Sequence, residues 1–368
     1  MPEFRSRKHP QFIVRQEHPF NGGPPLHLLR REFITPTELF YVRSHGNLPE
    51  IDASAYRLEI QGDVPTPLSL SMVEIRDDFP QVTLRATLQC AGNRRQELID
   101  ALPIPGEVPW GAEAIGHASW TGVRLRDVLA AAGLQGEIED RRHVDFSGLD
   151  DVEKEGQRFH YGSSIPLLKA LNPEVLLAYA MNGQPLEPLH GYPLRVVAPG
   201  YIGARCVKWL SRVTVQPEPS HNYYQRKSYR LFPPHVRKDT VEWEKGLMLG
   251  EMNLSSVICS PQEGQSLPPG RVNVQGYAIA SGGLEVARVD LSIDGGQSWV
   301  QAELLDERAA WSWRFWQAQV ELGPGQHQLV VRAVDSAANS QPSDVKEVWN
   351  FKGYMNNAWN RVNVTISG

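Results

Sequence analysis

The chain has 368 residues, of which 41% are hydrophobic and 21% charged, an ordinary composition for a globular protein. This length exceeds the size at which single hydrophobic cores stop growing, so at least two domains are predicted. The net charge of −5 disfavours a nucleic-acid-binding protein, and no apolar run is long enough to cross a membrane.

The three cysteines, Cys90, Cys206 and Cys259, lie far apart in the sequence. Their spacing supports neither a disulfide framework nor a structural zinc site nor a c-type haem attachment. An odd number of cysteines favours a reducing compartment. The N-terminal 23 residues have no apolar run of the kind found in signal peptides. We therefore expect a cytoplasmic protein, with a periplasmic location open if an export signal has been removed.

Residues 1–35 are predicted to form an extended arm that wraps around the body, because their prolines prevent regular helix. Thr35 and Pro36 have the residue types of a helix start. Residues 40–49 predict a short strand that turns at its end. Such a strand places Arg43 and His45 on one side.

The remainder of a predicted first domain, residues 1–240, interleaves short strands and helices without a regular β-α-β repeat, which indicates an α+β fold. Residues 82–88 alternate apolar and polar side chains as a half-buried strand does. Residues 125–132 predict an amphipathic helix, and the charged residues 153–158 predict a solvated loop. The glycine-rich motifs of nucleotide sites are absent from the sequence.

Residues 241–368 are predicted to form an all-β domain. After residue 257 the helix patterns disappear, and about seven short strand-like segments follow, separated by turns rich in glycine and proline. This pattern is typical of an immunoglobulin-like sandwich. The last of these predicted strands covers residues 345–349.

Residues 88–95, L-Q-C-A-G-N-R-R, follow directly on the strand predicted at 82–88. They place one soft metal ligand and two anion-binding guanidiniums at a strand end, where loops on a rigid scaffold commonly carry chemistry. A buried structural cysteine beside surface arginines is the alternative, and composition alone favours it.

The segment from residue 195 to residue 238 is strongly basic, although the whole chain is acidic. It contains nine lysines and arginines and one acidic residue, Glu218. Such a segment concentrates a positive field, which favours an anionic cofactor or substrate. A solvated basic face is equally compatible with the charge pattern.

Several motifs resemble those of the sulfite oxidase family of molybdopterin-dependent enzymes. They are L-Q-C-A-G-N-R-R at 88–95, H-G-Y-P-L-R-V-V-A-P-G-Y-I-G-A-R at 190–205, V-K-W-L at 207–210 and S-Y-R-L-F-P-P at 228–234. D-G-G-Q-S-W at 294–299 and A-W-N-R-V at 358–362 resemble the family's dimerisation domain. The resemblance implies a molybdopterin-binding domain of the sulfite oxidase type followed by that second domain.

The resemblance also implies a molybdopterin cofactor with Cys90 as the protein thiolate on molybdenum. A thiolate is a suitable ligand for a metal that dithiolene sulfurs already hold. The residues that the resemblance assigns to the pterin and its phosphate are Tyr41, Arg43, His45, Asp150, His190, Arg195, Gly203, Arg205 and Lys208. Asp151 stays open as an alternative to Asp150, because the loop after the G-L-D-D sequence is longer here.

The family's substrate pocket combines cationic side chains with a tryptophan and a tyrosine. The matching residues in this chain are Arg43, Arg95, Trp110, Tyr229 and Lys352. Lys352 is a departure, because the family motif W-N-L-R-G is W-N-F-K-G at 349–353 here, and lysine lacks the bidentate fork of arginine. We expect weaker or differently selective oxyanion binding. Arg94 is expected to brace the loop or to be solvated.

The implied reaction is the oxidation of sulfite to sulfate by oxygen-atom transfer, with electrons passed to an external acceptor. Nothing in the chain resembles a haem domain, so oxygen or a separate cytochrome is the expected acceptor. A homodimer through the C-terminal domain is implied, with no nucleic acid or membrane partner. A nitrate reductase-like or other oxyanion oxidoreductase of the same family, and a non-catalytic molybdopterin-binding or interaction protein, are the alternatives. Tyr229 within S-Y-R-L-F-P-P favours sulfite over nitrate.

Overall fold

The computed structural model describes residues 6–134, 141–305 and 308–368, so residues 1–5 of the predicted arm lie outside it. The strands before residue 255 are β1 (Ile13–Gln16), β2 (Asn21–Gly23), β3 (Leu58–Gly62), β4 (Leu68–Leu70), β5 (Gln81–Gln89), β6 (Ile115–Arg124), β7 (His143–Lys154), β8 (Gln157–Pro166), β9 (Leu176–Met181), β10 (Gln184–Pro185), β11 (Arg195–Val197), β12 (Arg212–Gln216), β13 (Arg230–Leu231) and β14 (Leu247–Met248). The helices there are α1 (Leu26–Leu29), α2 (Met72–Asp77), α3 (Arg95–Ala101), α4 (Leu125–Ala131) and α5 (Leu167–Ala170). Strands and short helices alternate as the sequence predicts, with sheet as the larger part.

Two sheets dominate this first part of the chain. One has the strand order β10-β9-β6-β5, with β11 pairing with β9, and the other has the order β4-β3-β12-β7-β8. The strand predicted at residues 82–88 is confirmed as β5, whose second half is buried. The strand ends at Cys90, so the sheet carries the predicted metal ligand at its end. The helix predicted at residues 125–132 is confirmed as α4.

The predicted loop at residues 153–158 is wrong, because these residues belong to the long hairpin of β7 and β8. The chain reverses at Glu155 and Gly156, which both have positive φ angles, 51° and 75°. Such a pair of left-handed residues permits a tight two-residue turn between strands. The charged side chains therefore lie on the exposed end of a sheet.

The predicted helix start at Thr35 is also wrong. The hydroxyl of Thr35 accepts a hydrogen bond from the backbone N–H of His117 at 3.1 Å, so it supports β6 instead of capping a helix. Leu39 closes a single turn on Pro36. The predicted strand at residues 40–49 is reduced to two isolated bridges, one between Val42 and Gly22 and one between Asn47 and Asp151.

The C-terminal part of the chain is a domain of two sheets. Its strands are β15 (Ser255–Ser260), β16 (Gln265–Leu267), β17 (Gly270–Ile279), β18 (Val286–Ser292), β19 (Val300–Gln301), β20 (Glu303–Leu304), β21 (Arg314–Leu322), β22 (Gly325–Asp335) and β23 (Asn360–Ile366). One sheet has the order β15-β17-β21-β20, and the other has the order β16-β23-β22-β18-β19. Val274 and Trp316 from the first sheet share a buried core with Val289 and Leu329 from the second.

The strand predicted at residues 345–349 is wrong, because α6 (Val345–Val348) replaces it. The carboxylate of Asp344 accepts a hydrogen bond from the backbone N–H of Lys346 at 2.8 Å and so caps this helix. In the described part of the chain, no helix combines the length and apolarity needed to cross a membrane.

Arg94 joins the two parts of the chain. Its guanidinium is fully buried and forms an ion pair with Glu97, and it donates to the carbonyl oxygen of Ala358 at 2.7 Å. Asn356 donates to the carbonyl oxygen of Arg94 at 2.9 Å and to the carboxylate of Glu97 at 3.1 Å. Arg94 is therefore neither solvated nor confined to its own loop, because it ties the turn after Cys90 to the C-terminal domain.

We expect Arg94→Met to lower the free energy of unfolding by about 2 kcal/mol, because it removes the buried guanidinium that pairs with Glu97 and donates to the Ala358 carbonyl. The measurement is urea denaturation followed by tryptophan fluorescence. Arg126→Met is the control, since Arg126 and Asp127 form a partly exposed pair at 3.5 Å, and we expect a change of less than about 0.5 kcal/mol there. Equal urea midpoints for the two variants would contradict the role assigned to Arg94.

Candidate active site

A cavity lies beside the end of β5. It brings together residues that are distant in the sequence. The predicted site residues in its lining are Tyr41, Arg43, His45, Cys90, Asp150, His190, Arg195, Gly203, Lys208 and Tyr229. A side chain at position 203 would reach to 2.8 Å from the Tyr41 hydroxyl, so glycine keeps this wall open.

Cys90 lies directly after β5 and lines this cavity. The backbone N–H of Gly92 donates to the Cys90 Sγ at 3.4 Å, and the N–H of Cys90 itself is held by Ala114 at 2.9 Å. The Arg43 guanidinium interacts electrostatically with this cysteine. A cation and an amide donor beside the sulfur are features of metal-binding and reactive cysteines, in contrast to inert buried ones.

Cys206 is a second cysteine in the lining, which sequence reasoning missed. Its Sγ accepts a hydrogen bond from the N–H of Ala198 at 3.4 Å. Burial raises the pKa of its thiol above the ordinary value, although Arg195 opposes this. The environment of Cys206 therefore favours the neutral thiol, which is the weaker metal ligand.

Several cations lie in the lining of the cavity. The Lys208 ammonium donates to Ser44 Oγ at 2.9 Å and to the Leu189 carbonyl at 3.0 Å, and Arg195 donates to the His190 carbonyl at 2.9 Å. Burial and the neighbouring charge of Arg195 lower the pKa of Lys208 well below its ordinary value. A bound anion would relieve both effects, because it favours the charged form.

Lys8 is a cation of this region that sequence reasoning missed. Its ammonium nitrogen lies 2.8 Å from His190 Nε2 and donates to the Thr37 carbonyl at 2.7 Å. Burial lowers the pKa of Lys8 to about 7. The arm thus contacts His190, which lines the cavity. No local sequence signal distinguishes this lysine from the other basic residues of the arm.

Asp150 is the acidic residue in the lining, whereas Asp151 is exposed. Its Oδ1 is buried and has no hydrogen-bond partner among the described residues. Burial raises the pKa of this carboxyl to about 6, and the charge of Lys208 partly opposes the rise. A buried acceptor of this kind needs a donor that a ligand can provide.

Tyr229 and His45 share a hydrogen bond at 2.7 Å between Oη and Nε2. The His45 ring stacks on Tyr161 at 4.3 Å. Burial, followed by the charges of Arg43 and Lys208, lowers the pKa of His45 well below its ordinary value. His45 is therefore neutral near pH 7 and fixes the orientation of the Tyr229 hydroxyl.

Three predicted substrate residues, Arg95, Trp110 and Lys352, lie behind the cavity lining. Tyr354 connects Arg95 and Lys352 to it. The Tyr354 ring stacks on Tyr229 at 5.2 Å and lies 5.0 Å from the Arg95 guanidinium carbon and 5.7 Å from Lys352 Nζ. Trp110 is fully buried, and its Nε1 has no hydrogen-bond partner among the described residues.

The Arg95 side chain passes through a narrow gap between two glycines. A Cβ at Gly92 would lie 2.5 Å from its Nη2, and a Cβ at Gly353 would lie 2.6 Å from its Cγ. Arg95 donates to the Gly353 carbonyl at 3.0 Å and to the Val108 carbonyl at 2.8 Å. Both glycines belong to the motifs identified in the sequence, so each leaves room for this arginine.

Arg205 also lies outside the lining. Its guanidinium donates to Ser163 Oγ at 2.6 Å and to Gln225 Oε1 at 2.7 Å, and it bonds the carbonyl of Leu249. The side chain is 1% exposed. Its protein partners place Arg205 as a support beneath the Gly203 segment.

Comparisons with known proteins identify the family of this chain. The family model described as "Oxidoreductase molybdopterin binding domain" matches residues 45–224, and that described as "Mo-co oxidoreductase dimerisation domain" matches residues 247–367. The sulfite oxidase of Gallus gallus is 44% identical over 361 residues, which cover 96% of this chain and 78% of the relative. The chain belongs to the sulfite oxidase family. The sulfite oxidase of Arabidopsis thaliana is 39% identical, with 96% and 94% of the two chains covered.

The fold of this sulfite oxidase family member is also found in a solved structure. The sulfane dehydrogenase SoxCD from Paracoccus pantotrophus matches with a TM-score of 0.80 and 26% identity, covering 100% of this chain and 93% of that one. The predicted cofactor, a molybdenum-bound molybdopterin, is confirmed by the family. The cavity fits this group, because its lining contains the cysteine sulfur of Cys90, the cations Arg195 and Lys208 for a phosphate, and the Asp150 Oδ1 acceptor without a partner among the described residues.

We expect Asp150→Asn to stabilise the cofactor-free protein and to weaken cofactor retention. The folded pKa of about 6 exceeds the ordinary 3.8, so ionised Asp150 destabilises the fold fully above about pH 6 and not at all below about pH 4. The variant should gain about 2 kcal/mol at pH 8 and nothing at pH 4. Urea denaturation at both pH values measures this gain, and molybdenum content after gel filtration measures retention. Asp151→Asn is the exposed control, and a gain that is independent of pH would contradict the assignment.

Proposed function

We propose that this protein oxidises sulfite to sulfate by molybdenum-dependent oxygen-atom transfer. The observation that carries the proposal is the cavity in which Cys90 lies among buried cations and a tyrosine hydroxyl. Sulfite oxidases with up to 45% identity over nearly the whole chain support it. When bound, the cofactor supplies the redox-active metal and the oxygen atom that is transferred.

The chain's own residues bind and orient the anion. Burial disfavours the charge of Arg43, but Tyr229 and Cys90 raise its pKa above the ordinary value, so its guanidinium stays charged. A fixed cation in a site with little water binds an oxyanion more strongly than the same cation in water. When the Nε2–H of neutral His45 donates to Tyr229 Oη, the hydroxyl of Tyr229 keeps its own proton to donate to a sulfite oxygen.

The division of labour follows the two domains. We assign residues 1–240 to cofactor binding and catalysis, with Tyr41, His45, Asp150, His190, Arg195, Gly203 and Lys208 around the pterin and its phosphate. Residues 241–368 form an immunoglobulin-like dimerisation domain, an interpretation supported by the two facing sheets and by the dimerisation-domain match. The assembly is a homodimer through this domain.

Electrons leave the site for an external acceptor. Sulfite-dependent peroxide formation under air, compared with sulfite-dependent reduction of cytochrome c without oxygen, distinguishes oxygen from a protein acceptor.

We expect Cys90→Ser to abolish sulfite turnover, with a loss of at least about 10²-fold, because serine is a harder and less acidic ligand. Cys206→Ser changes a second cysteine of the same cavity and should retain turnover within about fivefold. Both enzymes are assayed with sulfite at measured molybdenum content. The charge-transfer absorption of a thiolate–molybdenum bond provides a second measurement. Full turnover by Cys90→Ser would remove the proposed ligation, and reduction of nitrate but not oxidation of sulfite by the wild type would refute the function.

A further inference from the structure

A carboxylate lies inside the cluster of cations that the resemblance assigns to the substrate. Glu107 pairs with the Lys352 ammonium through Oε1, and its Oε2 lies 3.9 Å from Arg95 Nη2. The three side chains are 21%, 14% and 3% exposed, respectively. Glu107 thus contributes a negative charge to a site that needs positive charge to bind an oxyanion.

The carboxylate is ionised near neutral pH. Burial would raise the pKa of Glu107, but Lys352, Arg95 and Arg43 together lower it below the ordinary value. The contribution from Arg43 links Glu107 to the cavity itself, because Arg43 lines it. The three cations and one carboxylate carry two net positive charges, one fewer than the cations alone would carry.

The effect of this charge depends on the charge of the ligand. The Coulomb energy between a fixed charge and a ligand is proportional to the ligand charge, so a dianion is disfavoured by Glu107 about twice as much as a monoanion. Sulfate is a dianion near neutral pH, whereas part of the sulfite is present as the monoanion hydrogensulfite. One carboxylate can therefore weaken binding of the product more than binding of the substrate.

We propose that Glu107 is a specificity-determining residue, whose carboxylate occupies the anion position offered by Lys352 and Arg95 and selects monovalent over divalent oxyanions. The inference rests on the proposed function, because it concerns the sulfite site. It also accounts for the lysine in W-N-F-K-G: the ammonium is neutralised within the protein, so the cation that replaces the family arginine serves mainly to hold Glu107. Weak retention of sulfate then keeps the site open for the next substrate.

The test compares holoenzymes with and without this charge. Glu107→Gln keeps the shape and a hydrogen-bond acceptor for Lys352. Sulfate binding is measured at equilibrium by isothermal titration calorimetry, and nitrate inhibition of sulfite turnover serves as the monovalent comparison. We expect the sulfate dissociation constant to fall about tenfold and the nitrate inhibition constant to fall only about threefold. The control is Glu321→Gln, which removes the same charge from an exposed pair with Arg271 at 3.9 Å and should change neither constant.

An unchanged or weaker sulfate affinity in Glu107→Gln would overturn the proposal, because it would mean that Glu107 only positions Lys352. Equal changes for sulfate and nitrate would overturn it as well. Lys352→Arg provides a second background: arginine should pair again with Glu107 and change the sulfate dissociation constant less than twofold, whereas Lys352→Arg with Glu107→Gln should bind sulfate more than tenfold tighter than wild type. Sulfate binding requires no turnover. If molybdenum-loaded wild type fails to oxidise sulfite, the proposed function fails, and the calorimetric comparison still decides the inference about Glu107.

Discussion

The ion pair between the buried Arg94 guanidinium and the partly exposed Glu97 carboxylate is the interaction on which the site geometry depends. It lies directly after the turn that carries Cys90, and its remaining hydrogen-bonding groups are satisfied by the backbone of Ala358 and the side chain of Asn356 from the C-terminal domain. Arg94 has a positive φ angle of 64°, which a residue other than glycine adopts only where its surroundings compensate the cost. The turn is therefore held from both domains, and the positions of Cys90 and Arg95 follow from it. The C-terminal domain therefore helps to position the residues of the site through these hydrogen bonds.

The second constraint is the burial of like charges in and beside the cavity. Lys208, Arg195 and Lys8 are all withdrawn from water, and the pKa of each lies below its ordinary value because burial opposes the charge. Burial also opposes the negative charge of Asp150 and so raises the pKa of its carboxyl. The fold without cofactor is thus less stable than its hydrophobic core would allow, and binding of an anionic pterin returns part of that free energy. Stability and cofactor binding are coupled here by electrostatics, as expected where a site requires groups that the fold alone disfavours.

The local sequence pattern was sufficient to predict the strand and helix that follow from apolar spacing. It was insufficient where the conformation or capping of single residues determined the structure. The alternation at residues 82–88 predicted β5, and the apolar spacing at residues 125–132 predicted α4, because each has a buried face with the period of its element. The hairpin of β7 and β8 was missed, because its turn depends on the left-handed conformation of Glu155. The charged composition of residues 153–158 predicted a loop instead. The helix α6 was missed because its cap, Asp344, outweighs the apolar residues that favoured a strand.

Site residues were predictable where a motif supplied them, and unpredictable where only the third dimension brings them together. Cys206 lines the cavity, and Lys8 contacts His190 in its lining. No spacing rule predicts either position. Glu107 is the clearest case, because a lone glutamate before V-P-W resembles any surface residue until the fold places it against Lys352. Glu107 and Lys352 form a pair, and each accounts for the charge of the other. A lysine ammonium is a point charge that one carboxylate oxygen can satisfy, whereas an arginine fork would keep donors free for a bidentate oxyanion. The departure from the family arginine and the carboxylate beside it are consistent with a single change in the charge of the substrate site.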